Sequence, residues 1–336
     1  AIGNDQGVAI GYEAVGSNLS VAIGYQADAS QYGTAIGYQA KGTNQSTAIG
    51  YQALCGVSNS VAVGFGATCV YSENVAIGSQ ANAENTSVAI GCRAHSRVSS
   101  IAIGYETYAM NGMAIGYWAN GGDSGTAIGN ASDANARGTA VGDSARAATD
   151  GAAVGNRANA ESFGAALGER TSAASNGTAV GSSANGFLRG VAVGSVAYGH
   201  DNGVAVGYRS SAWNDGVAVG YESLGYDYGA AVGFQADATN EGTAVGYKAR
   251  GAHYGAAVGS SSAGENYGAT LGYGSTATNS GVAAGREAKG YDQGAGIGAF
   301  ANGVEYGAAL GYNANGSSSG VAIGQRANAW GGCVAI

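Results

Sequence analysis

Apolar and polar positions follow one another along this chain on a 13-residue cycle. Each cycle opens with a short apolar word, V-A-I-G with small variations, and continues through an aromatic or polar residue, small residues that alternate with polar ones, and a turn rich in Asn, Ser, Gly, Asp and Tyr. The closing glycine of the word stands at Gly11, Gly24, Gly37, Gly50, Gly64, Gly78, Gly91, Gly104, Gly116 and on to Gly324, 25 copies in all. From Gly116 the spacing is 13 without exception; earlier it is 14 twice and 12 once. A period this short is too small for a pair of helices and matches one coil of a β-solenoid. The chain is therefore expected to be all-β: a parallel β-solenoid of about 25 coils of 13 residues, forming a single array over residues 1–336.

With the motif glycine numbered position 4, positions 1–3 read as one short strand and positions 5–9 as a second. Position 0 is Gly, Ser or Asn, as at Gly7, Ser20 and Asn74. It reads as turn chemistry, where glycine accepts a positive φ. Position 1 is Val, Thr, Ala, Ile or Met, and position 3 is Ile, Val or Leu nearly throughout. Position 2 is Ala in 23 of the 25 copies, with Thr270 and Gly296 the exceptions. Alternation puts positions 1 and 3 on one side of the strand and position 2 on the other. The large aliphatics at 1 and 3 are expected to face inward, against the small residues of positions 7 and 9, with variable position 8 in water. Position 2 then becomes an outward alanine stripe, which a soluble monomer would rarely leave uncovered. On this reading Ala9, Ala22, Ala35, Ala48, Ala62, Ala205 and Ala218 pack against copies of themselves around a shared axis, as a homotrimer. The changes of spacing between Gly50 and Gly116 are expected in turns.

Composition narrows the function. There are 63 glycines and no proline, only 11% of residues are charged, and the net charge is −8. Fourteen Lys and Arg spread over so many coils make no basic patch, which argues against nucleic acid as a partner. No apolar run is long enough to span a membrane. Ala1-Ile2-Gly3 reads as the tail of a motif and Val334-Ala335-Ile336 as a motif cut before its glycine, so a fragment of a longer array is expected.

The words S-V-A-I-G-Y-Q-A at Ser20 to Ala27 and G-V-A-V-G-Y at Gly203 to Tyr208 resemble the head repeat of trimeric autotransporter adhesins, the YadA-like head. The resemblance covers essentially the whole chain. It implies a left-handed parallel β-roll with three chains in a tight trimer, whose interior would be lined by the first strands, Val8 to Ile10, Val21 to Ile23 and their equivalents. It also implies a place on a cell surface and attachment to matrix, cells or other surfaces. The chain departs from the family in lacking a neck, a coiled-coil stalk and a membrane-anchor barrel, and its repeat is nearer 13 than 14. A non-enzymatic extracellular adhesin head or fibre is the expectation, binding an unnamed surface, matrix or glycan ligand. A phage or virion tail-fibre shaft of the same fold is the alternative. An ice-binding solenoid is a minor one, disfavoured because Thr34, Thr126 and Thr178 at position 1 are placed inside.

Candidate chemistry is sparse. Position 5 is aromatic in blocks, with Tyr12, Tyr25, Tyr38, Tyr51 and Phe65 in consecutive coils, then Tyr208, Tyr221, Phe234 and Tyr247. Stacking of coils would set these rings about 5 Å apart, either as packing along an edge or as a sticky, sugar-binding strip. Tyr228, Tyr254, Tyr267 and Tyr306, just before the position 0 glycine, read as exposed contacts for a partner. Cys55 and Cys69 share position 9 in adjacent coils, within disulfide reach, or simply fill a position that takes small residues. The three histidines are coils apart, no aligned carboxylate pair suggests acid–base catalysis, and the four cysteines have no metal-ligand spacing. Neither cofactor nor metal is expected.

Overall fold

The computed structural model describes residues 1–336. It divides into two compact units, Ala1–Phe163 and Gly164–Ile336, which are taken here one at a time. Both are parallel β-solenoids, with no helix and with strands of only two or three residues, two to a coil. In the first unit the motif strand Val8–Ile10 pairs in parallel with Val21–Ile23, which pairs with Thr34–Ile36, so that Ala9, Ala22 and Ala35 fall in one row. The return strands Val15–Gly16, Asp28–Ser30 and Lys41–Thr43 form the second sheet in the same way. The second unit repeats the arrangement. Val204–Val206 pairs with Val217–Val219, and Ser211–Trp213 pairs with Leu224–Tyr226.

Backbone hydrogen bonding runs through the corners as well as the strands. Gly24 N–H donates to the Ile10 carbonyl at 2.8 Å, Gln26 to Tyr12 at 2.8 Å, and Tyr32 to Asn18 at 2.9 Å. Such bonds matter in so thin a fold, because a buried peptide group without a partner is costly.

Two corners close each coil, and both need left-handed backbone. At the first, the motif glycine itself has positive φ, between +118° and +142° along the chain. Gly24, at +138°, is doubly constrained, since a Cβ there would also overlap the Gly37 carbonyl of the next coil. A single positive φ follows two residues on, as at Gln26 and Gln39. At the second corner two successive residues have positive φ, as at Gln31 (49°) and Tyr32 (65°), and Gly33 N–H closes back on the Ser30 carbonyl at 3.0 Å. Two left-handed central residues define the type I′ turn.

Position 0 thus differs from its sequence reading. Its glycines are not the positive-φ residues; the polar pair before them is. Glycine stands at Gly33 because a Cβ would run into the backbone of Gly42 on the return strand. The irregular spacings do lie in this corner. The longer turn after Cys69 is held by Asn74, fully buried, whose Nδ2 donates to the carbonyls of Val70 (2.6 Å) and Tyr71 (2.8 Å). The first residues also change place. Ile2–Gly3 pairs with Val15–Gly16, so this segment is the end of a return strand and not a motif tail. That accounts for the short step of eight residues from Gly3 to Gly11.

The largest correction concerns which side of the motif strand faces in. Ala22, Ala35, Ala48, Ala62, Ala205 and Ala218 are 0% exposed and belong to the chain's own core, and Ala9, in the first coil, is half-buried. They meet the small residues of the return strand, such as Ala27, Ala29 and Ala40 in the first unit and Ala212 in the second. The large aliphatics at positions 1 and 3 point outward. The reason is room. At Gly16 even a Cβ would run into the Val8 carbonyl, at 2.5 Å, and the side chains that are fully buried elsewhere are small, Ala and Ser with a few Thr, Cys and Asn. Isoleucine cannot enter such a gap, whatever its hydrophobicity.

Candidate functional site: an outward aliphatic face and its ladders

Because position 2 points in, the outer face of the motif sheet carries two parallel rows of position 1 and position 3 side chains. In the first unit these include Val21 and Ile23, Thr34 and Ile36, Val88 and Ile90, all half-buried, with Ile10, Ile49 and Val154 more open. In the second unit Leu167, Val206, Val232, Val258, Leu271, Ile297 and Leu310 continue the pattern, Leu271 at 62% exposure. With coils about 4.8 Å apart, twelve coils of the first unit give a flat apolar strip about 50 Å long. A long contiguous apolar strip on a monomer's surface marks an interaction site. The same inversion turns Thr34, Thr126 and Thr178 outward, half-exposed. Thr34 pairs with Thr47 and Thr126 with Thr139 in the next coil, while Thr178 stands between Ala165 and Val191, so the threonines run two rungs at most and build no continuous ladder.

The tyrosines at position 5 form the ladders expected of them. Ring centroids are 5.1 Å apart for Tyr12 and Tyr25, 5.0 Å for Tyr25 and Tyr38, 4.9 Å for Tyr38 and Tyr51, and 5.1 Å for Tyr51 and Phe65, with interplanar angles of 12° or less. In the second unit Tyr208, Tyr221, Phe234 and Tyr247 stack likewise. Stacking along the coil axis occupies the ring faces. Inner rungs therefore show solvent their edges and hydroxyls, and a sugar ring has no open face to lie on between them. Beside the first ladder runs an amide ladder. Gln26 Nε2 donates to Glu13 at 2.6 Å, Gln39 to Gln26 at 2.9 Å, and Gln52 to Gln39 at 3.0 Å. Tyr254 and Tyr267 stack at 4.9 Å on the turn corner, while Tyr228 and Tyr306 stand exposed at 65% and 66%.

Cys55 and Cys69 are neighbours in register on the return sheet, and both are buried as free thiols. Cys69 Sγ donates to the Val61 carbonyl at 3.2 Å; the neighbouring Cys55 thiol pushes Cys69 up, with burial adding to the rise, and Cys55 is held below the ordinary thiol range by Cys69. A raised Cys69 stays protonated and unreactive.

In-register pairing also assembles two groups that sequence reasoning missed. In the first unit Glu84 accepts from Asn82 (3.1 Å) and lies 3.3 Å from both His95 and Arg97, with Tyr108 edge-on to His95. In the second unit His200 stacks on Trp213 at 4.7 Å, Tyr198 stacks on the same indole at 5.5 Å, and His200 Nδ1 meets Asp201 at 2.8 Å. The signal was present: a partner 13 residues away in sequence is one coil away in space. Lone residues scanned along the chain do not show it. Neither group lies in an enclosed cavity, and no cluster of three or more His, Cys, Asp or Glu is placed to hold a metal ion. No helix is long and apolar enough to cross a membrane.

Compared with protein-family models and with curated proteins, the chain matches none.

Proposed function

We propose that this chain is a non-enzymatic structural element of an extracellular fibre or cell-surface adhesin head, assembled from copies of itself through the outward aliphatic face of the motif sheet. One observation carries the reading: in each unit two rows of mostly Val, Ile, Thr, Leu and Ala side chains point outward from the motif sheet. A second copy offers the complementary surface, because the 4.8 Å rise of its rungs matches by construction. The resemblance to YadA-like heads favours three copies around an axis. In this reading the Val/Ile rows face that axis, since the alanines are buried inside each chain. The polar corners and the tyrosine edges remain outside for contact with a surface or matrix.

Mass in solution tests this. Light scattering or native mass spectrometry is expected to give a trimer. A dimer would keep the face and discard the threefold axis, and a stable monomer with the rows still exposed would reject the assembly. Val206→Lys with Val219→Lys is expected to weaken association while leaving β-sheet circular dichroism intact.

A further inference from the structure

The tyrosine ladders carry a chemistry of their own, independent of how the chains assemble. Six tyrosine pairs stack ring on ring: Tyr12–Tyr25, Tyr25–Tyr38, Tyr38–Tyr51, Tyr105–Tyr117, Tyr208–Tyr221 and Tyr254–Tyr267. Centroids lie between 4.9 and 5.2 Å, and angles between 2° and 22°. Every one of these rings has at least a third of its residue surface in solvent. In-register strands hold each pair of phenols at this distance, so the two rings meet without any search.

We propose that these pairs are sites of oxidative dityrosine coupling, by which neighbouring coils become covalently joined along the solenoid axis. The oxidant is a peroxidase-class enzyme with hydrogen peroxide. Each phenol gives up one electron and one proton, leaving two tyrosyl radicals. The radicals join through a new carbon–carbon bond between the positions ortho to their hydroxyls, and each joined carbon passes its hydrogen to its phenolic oxygen as the rings regain aromaticity. The two electrons and two protons removed reduce one hydrogen peroxide to two waters. A coupled pair links residues 12 to 13 apart, as at Tyr105–Tyr117 and Tyr38–Tyr51, and so closes one coil. It constrains the unfolded chain as a disulfide would.

The chain contains its own control. Tyr51 stacks on Phe65 at 5.1 Å and 6°, the geometry of a coupling pair, yet phenylalanine has no phenol to oxidise. Tyr32, Tyr71, Tyr228 and Tyr306 are controls of the other kind, well exposed and outside every stack.

The test is peroxidase treatment of the intact protein with limiting peroxide, then trypsin and mass spectrometry. Lys41 separates Tyr38 from Tyr51, and Arg209 separates Tyr208 from Tyr221, so those couplings each join two tryptic peptides. Both joined pairs, two hydrogens lighter than the sum of their parts, are expected from chains that still run at single-chain mass on a denaturing gel. Tyr51→Phe, which repeats the rung already present at Phe65, should abolish the first pair and leave the second. Oxidation in concentrated urea should lose the selectivity for both. Coupling that falls on Tyr32, Tyr71, Tyr228 or Tyr306, that joins separate chains instead, or that persists unchanged in urea would overturn the proposal. So would consumption of tyrosine with neither joined pair formed.

Discussion

The two units build the same coil by different rules at position 0. In Ala1–Phe163 the position is Ser or Asn in Ser20, Ser46, Ser60, Asn74, Ser87 and Ser100, and glycine in the other coils. In Gly164–Ile336 it is glycine in every coil from Gly164 to Gly320. The serines are buried and reach across the core. Ser20 Oγ donates to the Ala29 carbonyl at 2.9 Å, Ser87 to Ser96 at 3.1 Å, Ser100 to Ala109 at 3.1 Å, and Ser46 to Cys55. The glycines instead let the return strand close onto the motif strand, so that a Cβ at Gly203 would collide with the Ala212 carbonyl. The irregular turns fall only in the first unit, where Asn74 and the serines can satisfy a longer corner. One position therefore offers two solutions, a hydroxyl that bridges to the return strand or a bare backbone packed directly against its carbonyl. The outward rows differ too. Position 1 is alanine at Ala165, Ala230, Ala256, Ala269, Ala295 and Ala308 in the second unit but only at Ala152 in the first.

Substitutions at these positions would break or sharpen the contrast. The largest effect is expected from Ala218→Leu, which forces a large side chain into the methyl-sized gap and should cost about 3 kcal/mol. Enlarging the next residue instead, Val219→Leu, places the added group on the outward face and should stay within about 0.5 kcal/mol. Urea unfolding of each variant reads the difference, and equal costs would contradict the orientation of the strand. Next is Gly203→Ser, placing the first unit's solution in the second unit's coil, at about 2 kcal/mol. The reverse exchange, Ser20→Gly, loses one buried hydrogen bond, to the Ala29 carbonyl, and should cost about 1 kcal/mol. If the two exchanges cost the same, the room beside the return strand is not what separates the units.

The smallest effect tests charge. Burial pushes the Asp237 carboxyl in the second unit above its ordinary range, and its Oδ1 has no hydrogen-bond partner. The folded state disfavours the ionised form, so stability present at low pH declines as pH rises through the raised folded-state value. Asp237→Asn is expected to make the second unit slightly more heat-resistant at pH 7 and to lose that advantage below the usual aspartate range. Glu106 and Asp150 in the first unit have the opposite sign. Glu106 is held low by hydrogen bonds from Arg93 and Trp118, and Asp150 by the two that Arg137 donates. Their contribution is present above the ordinary carboxylate range and fades as pH falls through the lowered values.

Much of this was legible from residues alone. The period defined the coil, the alternation defined the strands, and shared position put Cys55 beside Cys69 and Tyr25 beside Tyr38. The polar clusters around Glu84 and around Trp213 became visible only when the chain was written coil upon coil. What the sequence by itself determined is the repeat: where strands and corners fall, and which residues share a side of each strand. Only the tertiary structure decided which side is inside. Alternation is symmetric between the two faces, and hydrophobicity favoured burying isoleucine. The space between two sheets whose backbones nearly touch takes alanine, serine and glycine at most positions, with a few Thr, Cys and Asn, and no large aliphatic side chain. Size overruled hydrophobicity, and the larger apolar groups were left on the surface, where another molecule can cover them.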